Sequence, residues 1–558
     1  MLDPQSLEVA DLDHLQLLAG LWDDLSFSRV IDQTVEQDDQ VVLPCSLALK
    51  ALVLDITAGR KALYKVDYAW QSLPVELLLT ADPAFNATQL NDDALGRCLD
   101  RIYDSGLMEL YQALSLQVIK HEGVSVSTLH SDTTSKLVFG EYADQDTGSI
   151  SVTQGHSKDH RPDLPQIMAG LALSTDGIPV LGQMLSENAS DKTWQKTMLE
   201  ALRSRLQVPA TDEIVYVGDS ALITAENLSI AHKSNIGLLG RLPATTNACG
   251  ELIALALKDE SKWEQVGPVV SRKDAASYQA MLFRREVLGV DLQAAVCRSD
   301  EPNERVIKRV GKEQQAAMDR AVKAVEVLQK EMFHCEADAA QALSDFTKKH
   351  SSPLIRLKTR IEERLEVGSF KKPGRPRKGE QPPTRQGFCV LAVIEEDPTA
   401  AQKQIRDESC FVLVHSGSKP KTAKEILGIY KGQMVAEKRF PFLKDDAMCD
   451  VFFVKNTKRL EALGYVMMLA LLLWCVWEAR VRRNLAASGE GPLVDVTRMK
   501  KGNPTAAVCS SIMGKVRVAR VRTVEGVGPW QLVGRLTYEQ TRVIRFSGSS
   551  QKLPHVGS

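Results

Sequence analysis

Apolar residues along the first 120 positions recur at helical spacing. Residues 43–54, 74–79 and 92–119 place them three and four apart between polar breaks, which predicts helices. Asn91 precedes DDALGRCLDRIYD as an N-cap. Residues 1–120 therefore read as a wholly helical module, separate from the rest of the chain. The pattern then changes to strands. VSVSTLHSD (124–132) alternates and ends on Asp132, and SISVTQG (149–155), QIMAGLALS (166–174) and IPVLGQML (178–185) come after it. Thr175-Asp176-Gly177 joins the last two as a hairpin. Next come a helix over 192–206, the strand EIVYVGD (213–219) ending on Asp219, a helix over 224–232 and the strand IGLLGRL (236–242). Strands, helices and an acid at a strand end make an α/β class over 121–244.

Residues 245–415 interrupt this order. Two hairpins, about 276–298 and 388–415, flank a long helical segment. In it Met318, Ala321, Val325, Leu328 and Met332 form a packing stripe, for a neighbouring helix or a coiled coil. A linker rich in Gly, Pro and base occupies 368–387. The α/β part resumes over 416–480 with a helix from about Ala423, capped by the Thr422-x-x-Glu425 box. Residues 463–477 run fifteen positions without a charge. That is short of the roughly 20 needed to cross a bilayer, so the run reads as a helix buried in a large domain.

A chain of 558 residues exceeds one compact core, and three or four modules are expected. Its 44% hydrophobic and 25% charged residues are ordinary for a soluble protein, and the net charge of -2 carries no global nucleic-acid signature. Charge is uneven, however. From Arg480 to Arg522 ten Lys or Arg face only Glu490 and Asp495. The basic C-terminal region, 481–558, is then either a solvated surface or a phosphate-tracking tail. Ten cysteines lie far apart, without C-x-x-C or zinc spacing, and read as buried reduced thiols of a cytosolic protein. The acidic N-terminus has no apolar signal core.

The candidate chemistry is a carboxylate triple. Asp132 and Asp219 each end an apolar strand, and Glu437 sits late on an amphipathic helix. Hard divalent cations prefer carboxylate oxygen. Two such ions roughly 3.5–4 Å apart can stabilise both oxygens of a phosphoryl displacement. With 71 acids in the chain some triple of this kind is inevitable, so spacing alone does not single it out. Its surroundings do. Tyr430, Glu437 and Lys444 stand at the offsets of a Y-x2-R-x3-E-x6-K signature, with Gln433 in place of the Arg. Positions 430, 433 and 437 share one helix face. Pro441 ends that helix and lets Lys444 turn back on a loop.

This segment resembles the signature of bacterial insertion-sequence DDE transposases. LHSDTTS (129–135) with GEY (140–142) resembles their first-Asp block, and GHSKDHRPDLPQI (155–167) and ENASDK (187–192) resemble the blocks after it. VGDSALITAENL (217–228) with GLLGRLP (237–243) resembles the second-Asp block. PCSLALKALVLDI and NDDALGRCLDRIYD resemble the helical module of one branch of the insertion-sequence-four superfamily, numbered sixteen thirty-four. The resemblance runs from about residue 40 to 480. It implies an RNase H-like core preceded by a helical module for DNA end binding or dimerisation. It also implies a mixed β and helical insertion between Asp219 and Glu437, whose gap of 218 residues (437 − 219) accommodates one. It further implies two Mg2+ ions, replaceable by Mn2+, on Asp132, Asp219 and Glu437. Tyr430, Gln433 and Lys444 would contact phosphate, with Lys431 or Lys438 as candidate substitutes for the missing Arg. The implied partners are double-stranded DNA, as element ends and target, and a second copy in a synaptic homodimer. No membrane is implied, and the setting is the bacterial cytoplasm at the nucleoid.

Weaker signals surround this core. His156 and His160 with Asp159 and Asp163 sit in a Gly- and Pro-containing stretch, a poor helix for zinc and a better polar loop near DNA. KKPGRPRK (371–378), with Arg375 and Arg377, resembles an AT-hook core and equally fits a flexible charged connection. Lys158, Arg161, Lys192 and Arg241 are further candidate phosphate contacts. Two other functions fit the same residues: another RNase H-like nuclease, or a DNA-binding relative that has lost catalysis.

Overall fold

The computed structural model describes residues 7–37, 41–59, 61–80, 82, 84–138, 150–154, 165–186, 191–269, 275–301, 303–368, 384–444, 456–523 and 526–549. In chain order it begins with β1 (Leu7–Asp11) and the helices α1 (Leu15–Asp24), α2 (Phe27–Thr34), α3 (Cys45–Thr57), α4 (Leu63–Trp70), α5 (Val75–Leu78), α6 (Asp92–Asp104) and α7 (Leu107–Glu122). The Asn91 side chain caps α6 by accepting from the Ala94 N–H at 3.0 Å. The stretch expected to be wholly helical thus opens on a strand. Its partner, at the other end of the chain, is invisible to local periodicity.

One ten-stranded mixed sheet makes this a mixed α/β protein. Its first part uses β2 (Thr128–Leu137), β3 (Thr153–Gln154), β4 (Pro165–Ser174), β5 (Pro179–Ser186), β6 (Ile214–Gly218) and β7 (Ile236–Arg241), with α8 (Asp191–Leu206) and α9 (Ala225–Lys233) between. β5 and β3 lie on the outer side of β4; β4 pairs antiparallel with β2, β2 parallel with β6, and β6 parallel with β7. β6, IVYVG, is buried throughout, as a parallel strand covered on both faces must be. The turn after β4 closes as expected. Gly177 has φ 77, and Ser174 accepts from its N–H at 2.9 Å.

The segment expected to be an insertion divides in two. After α10 (Asn247–Leu257), the strands β8 (Glu264–Pro268), β9 (Ser277–Val287) and β10 (Val290–Ser299) extend the main sheet instead of forming one of their own. Helices α11 (Glu304–Leu328) and α12 (Glu336–His350) then pack on a ribbon of β11 (Ile355–Val367) and β12 (Thr384–Glu396). The stripe Ala321, Val325 and Leu328 is buried there against Val390, Ala392 and Ile394 of the ribbon and helix α12, so it serves neither a coiled coil nor a helix pair alone. The expected hairpin over 388–415 does not exist. Helix α13 (Pro398–Glu408) intervenes, and β13 (Phe411–His415) inserts between β7 and β10. Residues 384–387, read as linker, belong to β12.

Helices α14 (Ala423–Lys431), α15 (Met434–Glu437), α16 (Phe440–Lys444) and α17 (Thr457–Ser488) complete the part around the sheet. The capping box at Thr422 and Glu425 is formed. Helix α17 is long and apolar enough to cross a membrane by length and composition, and most of that stretch is buried inside the protein. One apolar cluster runs from α1, α3, α6 and α7 through α17 to the sheet, so the N-terminal helices share the main core instead of standing apart.

The basic C-terminal region is folded. Beyond α17 come β14 (Leu493–Val494), β15 (Lys500–Lys501), α18 (Ala506–Met513), β16 (Arg517–Thr523), β17 (Gly526–Val527), β18 (Gln531–Leu532) and α19 (Tyr538–Ser547). β16 pairs with β1. The basic residues find acids across that junction: Arg480 with Asp24 and Glu122, Arg483 with Glu122, Arg517 with Asp11, and Arg520 and Arg522 with Glu8. Much of the local excess is therefore consumed internally. Of the described cysteines only Cys335 is exposed.

Candidate active site

The register of the parallel strands brings the two aspartates level. Thr128 lies opposite Val215 and His130 opposite Val217. Extended two residues beyond the last pair, that register sets Asp132 of β2 level with Asp219, which follows the end of β6. β7 extends the row. Gly218 pairs with Gly240, so the next step sets Asp219 level with Arg241. Asp132 on β2, Asp219 just past the end of β6 and Arg241 at the end of β7 thus fall in one row.

Side-chain alternation gives the face. Val215 and Val217 pack under α14 with Ile426, Leu427 and Tyr430, and Asp219 has the same parity. On β2 the opposite parity belongs to Ser131, whose hydroxyl lies 3.3 Å from both Trp194 Nε1 and Gln195 Oε1 of α8. Asp132 therefore shares the α14 side with Asp219. Contrary to the sequence expectation, β2 runs on to Leu137, so Asp132 is mid-strand; Asp219 alone stands just past a strand end. Asp132 Oδ1 accepts from the Thr133 N–H at 2.8 Å, and Asp219 Oδ1 from the Ala221 N–H at 3.0 Å.

β2 runs on because β4 pairs with it from Leu129 to Leu137, and this buries its polar residues. His130, Ser131, Thr133, Thr134, Ser135 and Lys136 are all inaccessible. Burial drives the His130 imidazole down to about 4, so it is neutral at ordinary pH. Helix α14 reaches it at Gly432, where a Cβ would stand 2.9 Å from His130 Cε1. Only glycine permits this approach.

Glu437 comes from the segment lying over this face. From Gly432 to Ala436 the turns tighten to i→i+3 bonds, Gln433 N–H to Tyr430 O at 3.1 Å and Ala436 N–H to Gln433 O at 2.9 Å. Tyr430 is half-buried. Burial is the largest cause of its raised pKa; Asp219 and Glu437 add to it while Arg241 opposes. One phenol thus stands within electrostatic reach of two of the acids and of the arginine. Glu437 is exposed, as are Asp219 and Arg241.

The residues around the missing signature Arg are dispersed. Gln433 turns its amide inward, Nε2 donating to Ser131 O at 3.4 Å with Oε1 buried. Lys431 Nζ lies over the Tyr278 ring at 5.0 Å, and Lys438 lines a cavity behind α15. Lys444 stands on α16, a short helix with Pro441 in its first turn, not on a loop after a helix that Pro441 ends. Proline is at ease in a first helical turn because the N–H it lacks has no helical partner there. Lys136 Nζ donates to Leu443 O at 2.7 Å and fastens α16 to β2.

Among the described residues no three of His, Cys, Asp and Glu gather closely enough to hold one metal ion. The donors are nonetheless carboxylate oxygens on one face, the chemistry a hard divalent cation takes. Mg2+ usually draws only one or two ligands from protein and the rest from phosphate and water. Lys158, Arg161, Arg375 and Arg377 lie outside the described residues, as do His156, Asp159, His160 and Asp163; so does the side chain of Lys192.

Residues 7–116 match a family described as a domain of unknown function, DUF4277. That span runs from β1 into α7 and stops short of Asp132. No curated protein matches the sequence. A solved structure titled piggyBac transposase synaptic complex with hairpin DNA, from cryo-electron microscopy, aligns with 86% of this chain and 76% of its own at 8% identity. Its TM-score is 0.35, a likeness too slight to bear on fold or activity.

Proposed function

We propose that the chain is a DNA transposase of the insertion-sequence DDE type, with an RNase H-like catalytic core. One observation carries this reading: Asp132 and Asp219 are level on adjacent parallel strands, under the segment that bears Glu437. The strand order β5–β4–β2–β6–β7, antiparallel in its first two pairings and parallel in its last two, supports the core assignment. The match of Tyr430, Glu437 and Lys444 to the signature supports the family.

In this reading Asp132, Asp219 and Glu437 hold Mg2+ or Mn2+. Bound divalent ions supply charge neutralisation at a phosphodiester and an acidified water. Tyr430, Arg241 and Lys444 orient the phosphate from either side of the acids, and Arg241 supplies the cationic charge that Gln433 lacks. His130, held neutral, adds no competing positive charge beside Asp132. The DNA substrates are the element's terminal inverted repeats and the target, gathered by a homodimer in the bacterial cytoplasm.

Asp132→Ala or Glu437→Ala is expected to abolish metal-dependent nicking of a plasmid carrying the ends while leaving gel-shift binding intact. Wild-type nicking by either variant would sink the assignment. A joining assay with pre-cleaved ends separates a transposase from a nuclease, which yields no joined product. The inward turn of Gln433 favours a second reading, a DNA-binding relative without catalysis, and nicking by the wild-type chain excludes it.

A further inference from the structure

Behind α15, on the side away from the acids, lies a cavity of about 1220 Å3. The N-terminal helices, α15–α17 and the start of α18 all contribute to its wall. Val435, Lys438 and Arg439 face it, whereas Glu437 between them does not. Ligand pockets usually range from about 300 to 1,000 Å3, so the space is ample for a small polyatomic ligand.

Its wall combines aromatic surface with positive charge. Trp474 of α17 is half-buried and lines it with Phe442, ring centroids 6.0 Å apart. Behind, His14 and Trp477 hold the indole at 5.4 and 5.5 Å. Most lining charges are cancelled. Glu478 pairs with both Arg439 and Arg482, and Glu122 with Arg483, so the four lining cations face three acids and one positive charge is left over. Lys438 is exposed and makes no ion pair among the described residues. The remaining acid is Asp176 at the hairpin turn, whose carboxylate can accept from an exocyclic amine, as a carboxylate does from cytosine N4.

We propose that this cavity is a nucleotide site, with the base on Trp474 and Phe442 and the phosphate on Lys438. Stacking on aromatics with a nearby cation is how single-stranded nucleic acid is held without sequence readout. The nucleotide is either free or an unpaired residue of a DNA strand, and Asp176 favours cytosine over thymine. The choice of a DNA strand as probe rests on the transposase function proposed for the chain.

The test is fluorescence anisotropy of a fluorescein-labelled ten-nucleotide oligo(dC) on the full-length Asp132→Ala chain, which cannot cleave. Trp474→Phe keeps the packing against His14 and Trp477 and reports the loss of indole area; Trp474→Leu removes the stacking surface. Trp474→Leu and Lys438→Gln are each expected to weaken binding about tenfold, with thermal unfolding unchanged for Lys438→Gln. Parental affinity in both variants would overturn the proposal, and so would stronger binding of oligo(dT) than of oligo(dC). Displacement of the probe by dCMP assigns the site to free nucleotide, and displacement by unlabelled oligo(dC) alone assigns it to a strand. Oligo(dC) binding that depends on Trp474 and Lys438, in a chain whose wild type never nicks DNA, would leave this site standing while the proposed catalysis fails.

Discussion

Arg439 and Glu478 meet in a buried ion pair of 2.8 Å that fastens the segment carrying Glu437 to the long helix α17. Arg439 also donates to Gly177 O at 3.0 Å. Glu478 in turn pairs with Arg482 at 2.7 Å and accepts from the Ala506 N–H at 2.8 Å. One carboxylate therefore ties together the link between α15 and α16, α17 and α18, with the turn of the β4–β5 hairpin reached through Arg439.

Removing one member of a buried pair strands its partner's charge. Glu478→Leu leaves two arginines without a counter-ion and is expected to cost about 3–5 kcal/mol. Arg439→Met should cost less, because Arg482 still neutralises Glu478. Urea denaturation of both variants checks the order, and equal losses would show that Glu478 is not the hub.

Gly432 admits the close approach of α14 to His130. Gly432→Ala is expected to push the helix away from β2, lowering stability by about 1–3 kcal/mol and slowing nicking at least tenfold. His130→Ala opens the same space, so the double variant should recover much of both losses. Failure of that rescue would refute steric contact as the cause.

Arg241 stands in the row of the two aspartates. Arg241→Gln is expected to weaken DNA binding and reduce the slope of log K against log salt by roughly 1, the signature of one lost phosphate contact. Arg522→Gln, which breaks an exposed pair with Glu8, should cost under about 1 kcal/mol of stability and leave that slope unchanged. The reverse result would return phosphate tracking to the C-terminal region.

Three buried histidines make folding sensitive to acid. Burial lowers His14, His130 and His415 to about 4 from the ordinary 6.5. Between those values the unfolded chain binds protons that the folded chain refuses, so stability rises with pH across this window. The contribution is complete above about 6.5 and lost progressively as pH falls to about 4. Each histidine accounts for roughly 3 kcal/mol at 1.36 kcal/mol per unit. Unfolding midpoints measured from pH 7 to 4.5 should fall steeply, and His130→Asn should flatten the curve.

Local pattern alone determined a good part of this protein. The capped helices at Asn91 and Thr422, the strands 166–174 and 178–185 with their turn, and the strand ending before Asp219 arise from periodicity, caps and turn residues, which act over a few positions. The acids and the 430–444 segment were readable as a motif for the same reason: it is written in consecutive residues. Tertiary structure decided what depends on distant partners. β1 is a strand because β16 arrives about 510 residues later, and β13 joins the main sheet because β7 and β10 leave it a place. Asp132 is mid-strand because β4 pairs with β2 on past it to Leu137. Half of the basic run near the C-terminus is paired by Asp11, Glu8, Asp24 and Glu122, which face it from the other end of the chain. Register placed Arg241 beside the aspartates, and no spacing in the sequence marks it, since a register is set by which strands pair and not by how far apart their residues are numbered.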